Sequence, residues 1–191
     1  MRTQVLSLLI LAALATSALA DVASQPRPVP TKRANRPLTV TSSAFRADTT
    51  IPPEYTCDGA QVPPPLTWSH VPDGTRSIAV FIDDPDAPTG TFTHWLVTGI
   101  PPAATSLPVG GALPDGAVVS KNGKGDVGYA GPCPPSGRHH YVFHVYALEN
   151  TIPPPASKSE LIAAIDGHIL GEGKLVGRYQ KVAAPKLSNP H

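Results

Sequence analysis

Apolar stretches of strand length alternate along this chain with clusters of proline. Five windows, 38–45, 66–69, 77–82, 94–100 and 141–148, alternate or run apolar and are rich in β-branched and aromatic residues. Between them stand Pro52-Pro53, Pro63 to Pro65, Pro101-Pro102 and Pro153 to Pro155. Proline has no N–H to give to a strand ladder, so each cluster marks a place where pairing stops. Short strands at this spacing predict a mainly β fold, an antiparallel β-sandwich. Within 141–148 the two-residue period puts Tyr141, Phe143 and Val145 on one face. Val142, His144, Tyr146 and Leu148 fall on the other.

One segment predicts a helix. Ser157 or Ser159 can cap it, Glu160 sits in its first turn, and Leu161, Ile162, Ile165 and Ile169 fall near helical spacing. Gly171 and Gly173 are expected to end it, with a last strand over 175–182. A single helix in the C-terminal region would lie across a sheet edge or face.

The first twenty residues follow another pattern. Arg2, an apolar run over 5–15 and the small residues Ala18-Leu19-Ala20 have the layout of a secretory signal peptide cleaved after Ala20. The mature protein is then expected to be exported, to the periplasm or beyond. No cysteine follows Ala20 to take a lipid anchor, and no later stretch is apolar for long enough to span a bilayer. Residues 21–36 hold Pro26, Pro28 and Pro30 with Arg27, Lys32, Arg33 and Arg36, leaving almost nothing to bury. They predict a flexible basic tail, a solvated spacer or an arm that touches anionic lipid or a partner.

Charge separates that tail from the remainder. Residues 21–36 carry four basic groups and one acidic, whereas 37–191 carry ten basic and thirteen acidic. A folded part without basic excess is not expected to bind nucleic acid. Residues 37–191 have the length of one domain with a full core. Only 15% of the chain is charged and 24 residues are proline, yet the apolar fraction is 41%, enough for folded strands joined by stiff loops.

Two segments concentrate the chemistry. Asp84-Pro85-Asp86-Ala87-Pro88 runs on to His94-Trp95, and Gly131-Pro132-Cys133-Pro134-Pro135 runs on to His139-His140-Tyr141. Each delivers polar side chains where a rigid loop meets a strand, which is how a scaffold builds a small-ligand site. If these strands share a sheet, Asp84, His94, His139 and Tyr141 converge. Three chemistries compete there. A metal site would use neutral histidines and a carboxylate, but no i, i+4 pair or C-x-x-C spacing supports one, and none is expected. Acid–base catalysis would need a carboxylate or histidine tuned by burial. Anion binding needs only N–H and O–H donors in a small pocket. Asp84 and Asp86 could instead simply order the proline turn through their own backbone. Ser136 lacks the strand–turn–helix setting of a hydrolase nucleophile. Cys57 and Cys133 can pair in an oxidising compartment; such a bridge would contribute about 4 kcal/mol and is preferred here to two reduced thiols.

These two motifs resemble the phosphatidylethanolamine-binding protein family, most nearly its bacterial Raf kinase inhibitor-like branch. Tyr55-Thr56-Cys57-Asp58-Gly59, Pro65-Leu66-Thr67-Trp68, Tyr146-Ala147-Leu148, Gly167-His168-Ile169-Leu170 and Leu175-Val176-Gly177 extend the resemblance over about residues 38–182. It implies a β-sandwich with a small surface pocket for phosphate or a phospholipid headgroup, acting without cofactor or turnover, with a kinase- or protease-like protein as possible partner. The pocket would comprise Asp84, His94, Gly131, His139 and Tyr141, shaped by Asp86 and Pro132. His94 and His139 would donate to phosphate oxygens, Tyr141 would add a hydroxyl, and Asp84 would orient a histidine or accept from a headgroup ammonium. The family commonly has arginine where this chain has His140, so loop bracing there is expected to weaken or to depend on pH. The rival readings are a hydrolase using the same Asp/His cluster, and an inhibitor or interaction module in which the pocket is incidental.

Overall fold

A computed structural model describes residues 36–181. Its larger sheet has six strands, in the spatial order β1 (Arg36–Pro37), β9 (Ile169–Tyr179), β8 (His139–Leu148), β4 (Ser77–Asp84), β5 (Phe92–Ile100) and β7 (Val118–Val119). The smaller sheet orders β2 (Thr39–Thr41), β3 (Leu66–Ser69) and β6 (Ser106–Leu107). Every pairing is antiparallel except that of β1 with β9. The protein is mainly β, with one α-helix, α1 (Lys158–Ile165), among the described residues.

The central strand β4 is buried from end to end. Both its faces are covered, which is why its sequence runs apolar instead of alternating. Ile78, Val80 and Ile82 share a core with Leu66 and Trp68 of the smaller sheet. Ala79 and Phe81 lie on the opposite face with Leu161 and Ile165 of α1. The alternation expected in β8 holds: Tyr141, Phe143 and Val145 join the inter-sheet core, and Leu148 joins the cluster beneath α1. His144, on that second face, stacks on Phe81 with ring centroids 4.5 Å apart.

Ser157 caps α1, its hydroxyl accepting from the Glu160 N–H, while the Glu160 carboxylate accepts from the Ala156 N–H. The helix stops earlier than its apolar spacing predicts. Asp166 leaves helical geometry, Gly167 follows with φ +78°, and from Ile169 the chain is extended and paired with Leu148. Ile169, Gly171 and Gly173 therefore belong to β9, which begins at Ile169 instead of Leu175. Ile169 keeps a helical spacing from Ile165, but a left-handed glycine between them ends the helix and ladder pairing takes over. The window 38–45 likewise shortens to β2, because Ser42 turns the chain and donates to the Pro65 carbonyl.

The expected signal peptide and residues 21–35 lie outside the described residues. Arg36, expected in the tail, opens β1 opposite Gly171. No helix among the described residues is long and apolar enough to cross a membrane.

Candidate functional site

Strand register brings the two motifs together. Ile82 faces Phe143 and Asp83 faces Val142, so Asp84 ends β4 near Tyr141 and His139 at the start of β8. On the other side of β4, Asp83 faces Thr93 whereas Ile82 faces Trp95. His94 is the extra residue of a β-bulge, a device that re-aims a side chain. Relative exposures of 4% for Asp84, 5% for His94, 7% for His139 and 0% for Tyr141 show how deep this end of the sheet lies. His94 meets the Tyr141 ring edge-on at 5.1 Å and the Phe92 ring at 4.7 Å.

The first motif is clasped onto β8 by two successive contacts. Asp84 accepts from His139 Nδ1 at 2.7 Å through Oδ2 and from the Asp86 N–H at 2.9 Å through Oδ1. The turn-ordering role and the histidine-orienting role expected of Asp84 thus coexist, one on each oxygen. Asp86 faces outward, its Oδ2 accepting from both the backbone N–H and Nδ1 of His140 at 2.7 Å. The brace across this loop is therefore built with histidine. These donors, the backbone N–H foremost, hold the Asp86 carboxyl below its usual range. A carboxyl with a lowered folded-state pKa stabilises the fold above its unfolded pKa, and that contribution is lost as pH falls through the lowered value. We expect the urea midpoint of Asp86→Asn to lie below that of the parent at pH 6, with the gap narrowing as the pH falls from about 4 toward 2. An unchanged gap between those pH values would refute the brace.

The second motif is sewn to its surroundings from both sides. Ala130 donates its N–H to the His94 carbonyl at 2.8 Å and accepts from His94 Nδ1 at 2.6 Å, pinning the loop to the bulge. A Cβ on Gly131 would sit 3.0 Å from the Thr56 backbone, tighter than ordinary contact, so a larger residue there would push the loop and residue 56 apart. Pro132 accepts from the Cys57 N–H at 3.0 Å, and Cys57 is disulfide-bonded to Cys133. Tyr129 donates to the Tyr55 carbonyl at 2.8 Å. The motif at residues 55–59 thus backs the wall formed by Gly131 and Pro132.

Electrostatics correct one expectation. His94 was expected to donate to a ligand, but its Nδ1 proton is held by Ala130, because a carbonyl only accepts. Burial holds the ring's pKa below its usual value, against the opposing pull of the Ala130 carbonyl and of Asp84 and Asp83. The neutral ring therefore carries a lone pair on Nε2, and among the described residues this buried atom has no hydrogen-bond partner. The Tyr141 hydroxyl is buried and, among the same residues, unpaired as well. It sits beside the Asp84 carboxylate without closing a well-formed hydrogen bond, and burial, then that charge, push its pKa up. Such orphaned buried groups are rare enough to require a reason.

Among the described residues no group of three or more histidine, cysteine or acidic side chains is arranged to hold a metal ion. Two open grooves of about 470 and 580 Å³ lie along β1, one beside His144, Tyr146 and Lys174 and the other beside His70 and Asp73. None of the described protein's orphaned buried side-chain atoms lines them. Six buried side-chain atoms among the described residues lack a partner, and two of them, His94 Nε2 and Tyr141 Oη, lie together beside Asp84 and His139. Sequence reasoning missed Ala130, Phe92 and the bulge. A backbone acceptor leaves no mark on residue type, and Phe92 reads as an ordinary strand residue.

Fold and site together define a two-sheet β-sandwich with a buried carboxylate–histidine cluster at one end of its core. The sequence profile of the phosphatidylethanolamine-binding proteins matches residues 41–180. A UPF0098 protein of Methanothermobacter thermautotrophicus is 46% identical over 150 residues, covering 75% of this chain and 99% of its own. A Mycobacterium tuberculosis protein named as a lipoprotein, LppC, is 42% identical over 151 residues, covering 77% of this chain and 74% of its own. Among solved structures, a phosphatidylethanolamine-binding protein homologue from Chlamydia trachomatis superposes with a TM-score of 0.73 at 35% identity, over 78% of this chain and all of its own. Escherichia coli YbcL gives a TM-score of 0.71 at 34% identity, over 76% of this chain and 99% of its own. The chain belongs to the phosphatidylethanolamine-binding protein family.

Proposed function

We propose that this protein is an exported binding protein of the Raf kinase inhibitor-like kind, which takes a small phosphate-bearing anion, free or as a headgroup, without turning it over. The pocket comprises Asp84, His94, Gly131, His139 and Tyr141, with Pro132 forming part of its wall and Asp86 bracing its rim from outside. The observation that carries this reading is the pair of buried, unpaired polar atoms, His94 Nε2 and Tyr141 Oη, beside the Asp84–His139 pair. Leaving such groups unpaired costs about 1–3 kcal/mol each, which a ligand bonding to them would recover. Asp84 holds the His139 ring so that its other nitrogen, Nε2, remains for a ligand. Export is supported by the leader-like first twenty residues, by the disulfide and by the relative named as a lipoprotein.

The test is a titration with O-phosphoethanolamine followed by NMR. Shifts at His94, His139 and Tyr141, with His144 and Tyr146 of the outer groove unmoved, are the expected result. Response at the outer groove alone would overturn the assignment. Release of inorganic phosphate from a panel of phosphate esters, abolished in His139→Ala, would replace binding with hydrolysis.

A further inference from the structure

The cluster does not offer donors alone. His94 Nδ1 is committed to the Ala130 carbonyl, so the neutral ring presents a lone pair at Nε2. Tyr141 presents an O–H, since its proton is held on by burial and by the neighbouring carboxylate. Both oxygens of Asp84 already accept, from Asp86 and from His139. The charged groups around His94 are Asp83 and Asp84 on β4 and Lys124 in the loop after β7; Tyr141 faces it from β8. An oxyanion with no proton would set an oxygen lone pair against Nε2 and leave that atom unsatisfied. An oxyanion with one P–OH group would satisfy Nε2 and Tyr141 together.

Building on the anion-pocket reading, we propose that the site selects an oxyanion carrying its own proton. The ligand is phosphate with at least one P–OH, or the monoanion of a phosphomonoester, its P–OH donating to His94 Nε2 and another oxygen accepting from Tyr141. Sites built around a ligand hydroxyl reject analogues that lack it, because the buried partner is then left unpaired. A phosphomonoester loses this proton with a pKa near 6, so the discrimination falls in an accessible pH range. Sulfate has no proton to offer there, nor does a phosphodiester.

Titration calorimetry on the folded chain separates the outcomes. The probes are inorganic phosphate, O-phosphoethanolamine, glycerophosphoethanolamine (the diester linkage of a lipid) and sulfate, at pH 5.5 and 8. At pH 5.5 the first two are expected to bind at least about tenfold more tightly than the diester and sulfate; toward pH 8 the affinity of O-phosphoethanolamine falls, whereas inorganic phosphate, whose dianion keeps one P–OH, stays ahead of sulfate. In buffers of different ionisation enthalpy at pH 5.5, phosphate is expected to draw about one proton fewer from solution than any bound sulfate does. In His94→Gln, whose amide can turn an N–H inward, the gap between phosphate and sulfate is expected to close. Should that variant fail to fold, the comparison in the parent protein decides alone. If sulfate or the diester equals phosphate at both pH values, proton selection is wrong and the anion pocket stands. If no probe binds, both are wrong.

Discussion

Exchanging His139 for alanine will lower the unfolding free energy by about 3 kcal/mol and abolish the response to phosphate. The ring lies buried against Asp84, which accepts from its Nδ1 at 2.7 Å. Without the ring, the buried carboxylate loses its imidazole partner and is left, among the described residues, with the Asp86 N–H and the neighbouring Tyr141 hydroxyl, and breaking a buried pair in this way is costly. The ligand loses at the same time the nitrogen that Asp84 holds ready for it. Urea unfolding measures the first effect and a phosphate titration the second. His139→Asn separates them: its amide can donate to Asp84 and recover part of the stability, but it cannot replace Nε2. A His139→Ala protein that unfolds at the parent's urea midpoint would show that the buried pair contributes nothing.

Replacing Cys57 and Cys133 by serine will cost about 4 kcal/mol on the chain-entropy account, because the bridge closes a loop across a sequence separation of 76. Binding weakens as well. Gly131 and Pro132 form a wall held to residues 56 and 57 by the bridge, by the Cys57 N–H on Pro132 and by the contact of Gly131 with Thr56. Urea unfolding of the oxidised and serine-substituted proteins gives the stability difference. Two thiols alkylated without reductant in the native protein would refute the bridge itself.

Strand positions were largely legible because their cause is local. Proline clusters stop pairing at any site, and the two-residue period of β8 sorted Tyr141, Phe143 and Val145 from His144 and Tyr146 without knowledge of the partner strands. The end of α1 was misread because Ile169 satisfies a helical pattern, while the competing ladder to Leu148 is a long-range fact. The two-residue strands β1, β6 and β7 are too short to carry any period.

Residue types and loop–strand boundaries anticipated that Asp84, His94, His139 and Tyr141 come together, but not their hydrogen-bond polarity. Whether His94 donates or accepts depends on a bulge between Thr93 and Trp95 and on the carbonyl of Ala130, neither of which alters a side chain. The same holds for Asp86. Its turn motif suggested a place near a ligand, while its actual partner, His140, shares no local pattern with it.

That polarity has a functional consequence. Two histidines that both donated would attract any small anion. On the proposed reading, one histidine held as an acceptor, beside a tyrosine that donates, would make the site read the proton on its ligand as well as the charge. The inner pair, Asp84 with His139, prepares one ligand contact, and the outer pair, Asp86 with His140, keeps the loop in place from the solvent side.

The most direct test of the anion pocket is a crystal structure of the protein grown with phosphate at pH 5.5. The account predicts one phosphate within hydrogen-bond distance of His94 Nε2 and Tyr141 Oη, on the side of His139 away from Asp84. A phosphate seated only in the grooves along β1, or a cluster whose unpaired atoms meet nothing but water at saturating phosphate, would contradict it.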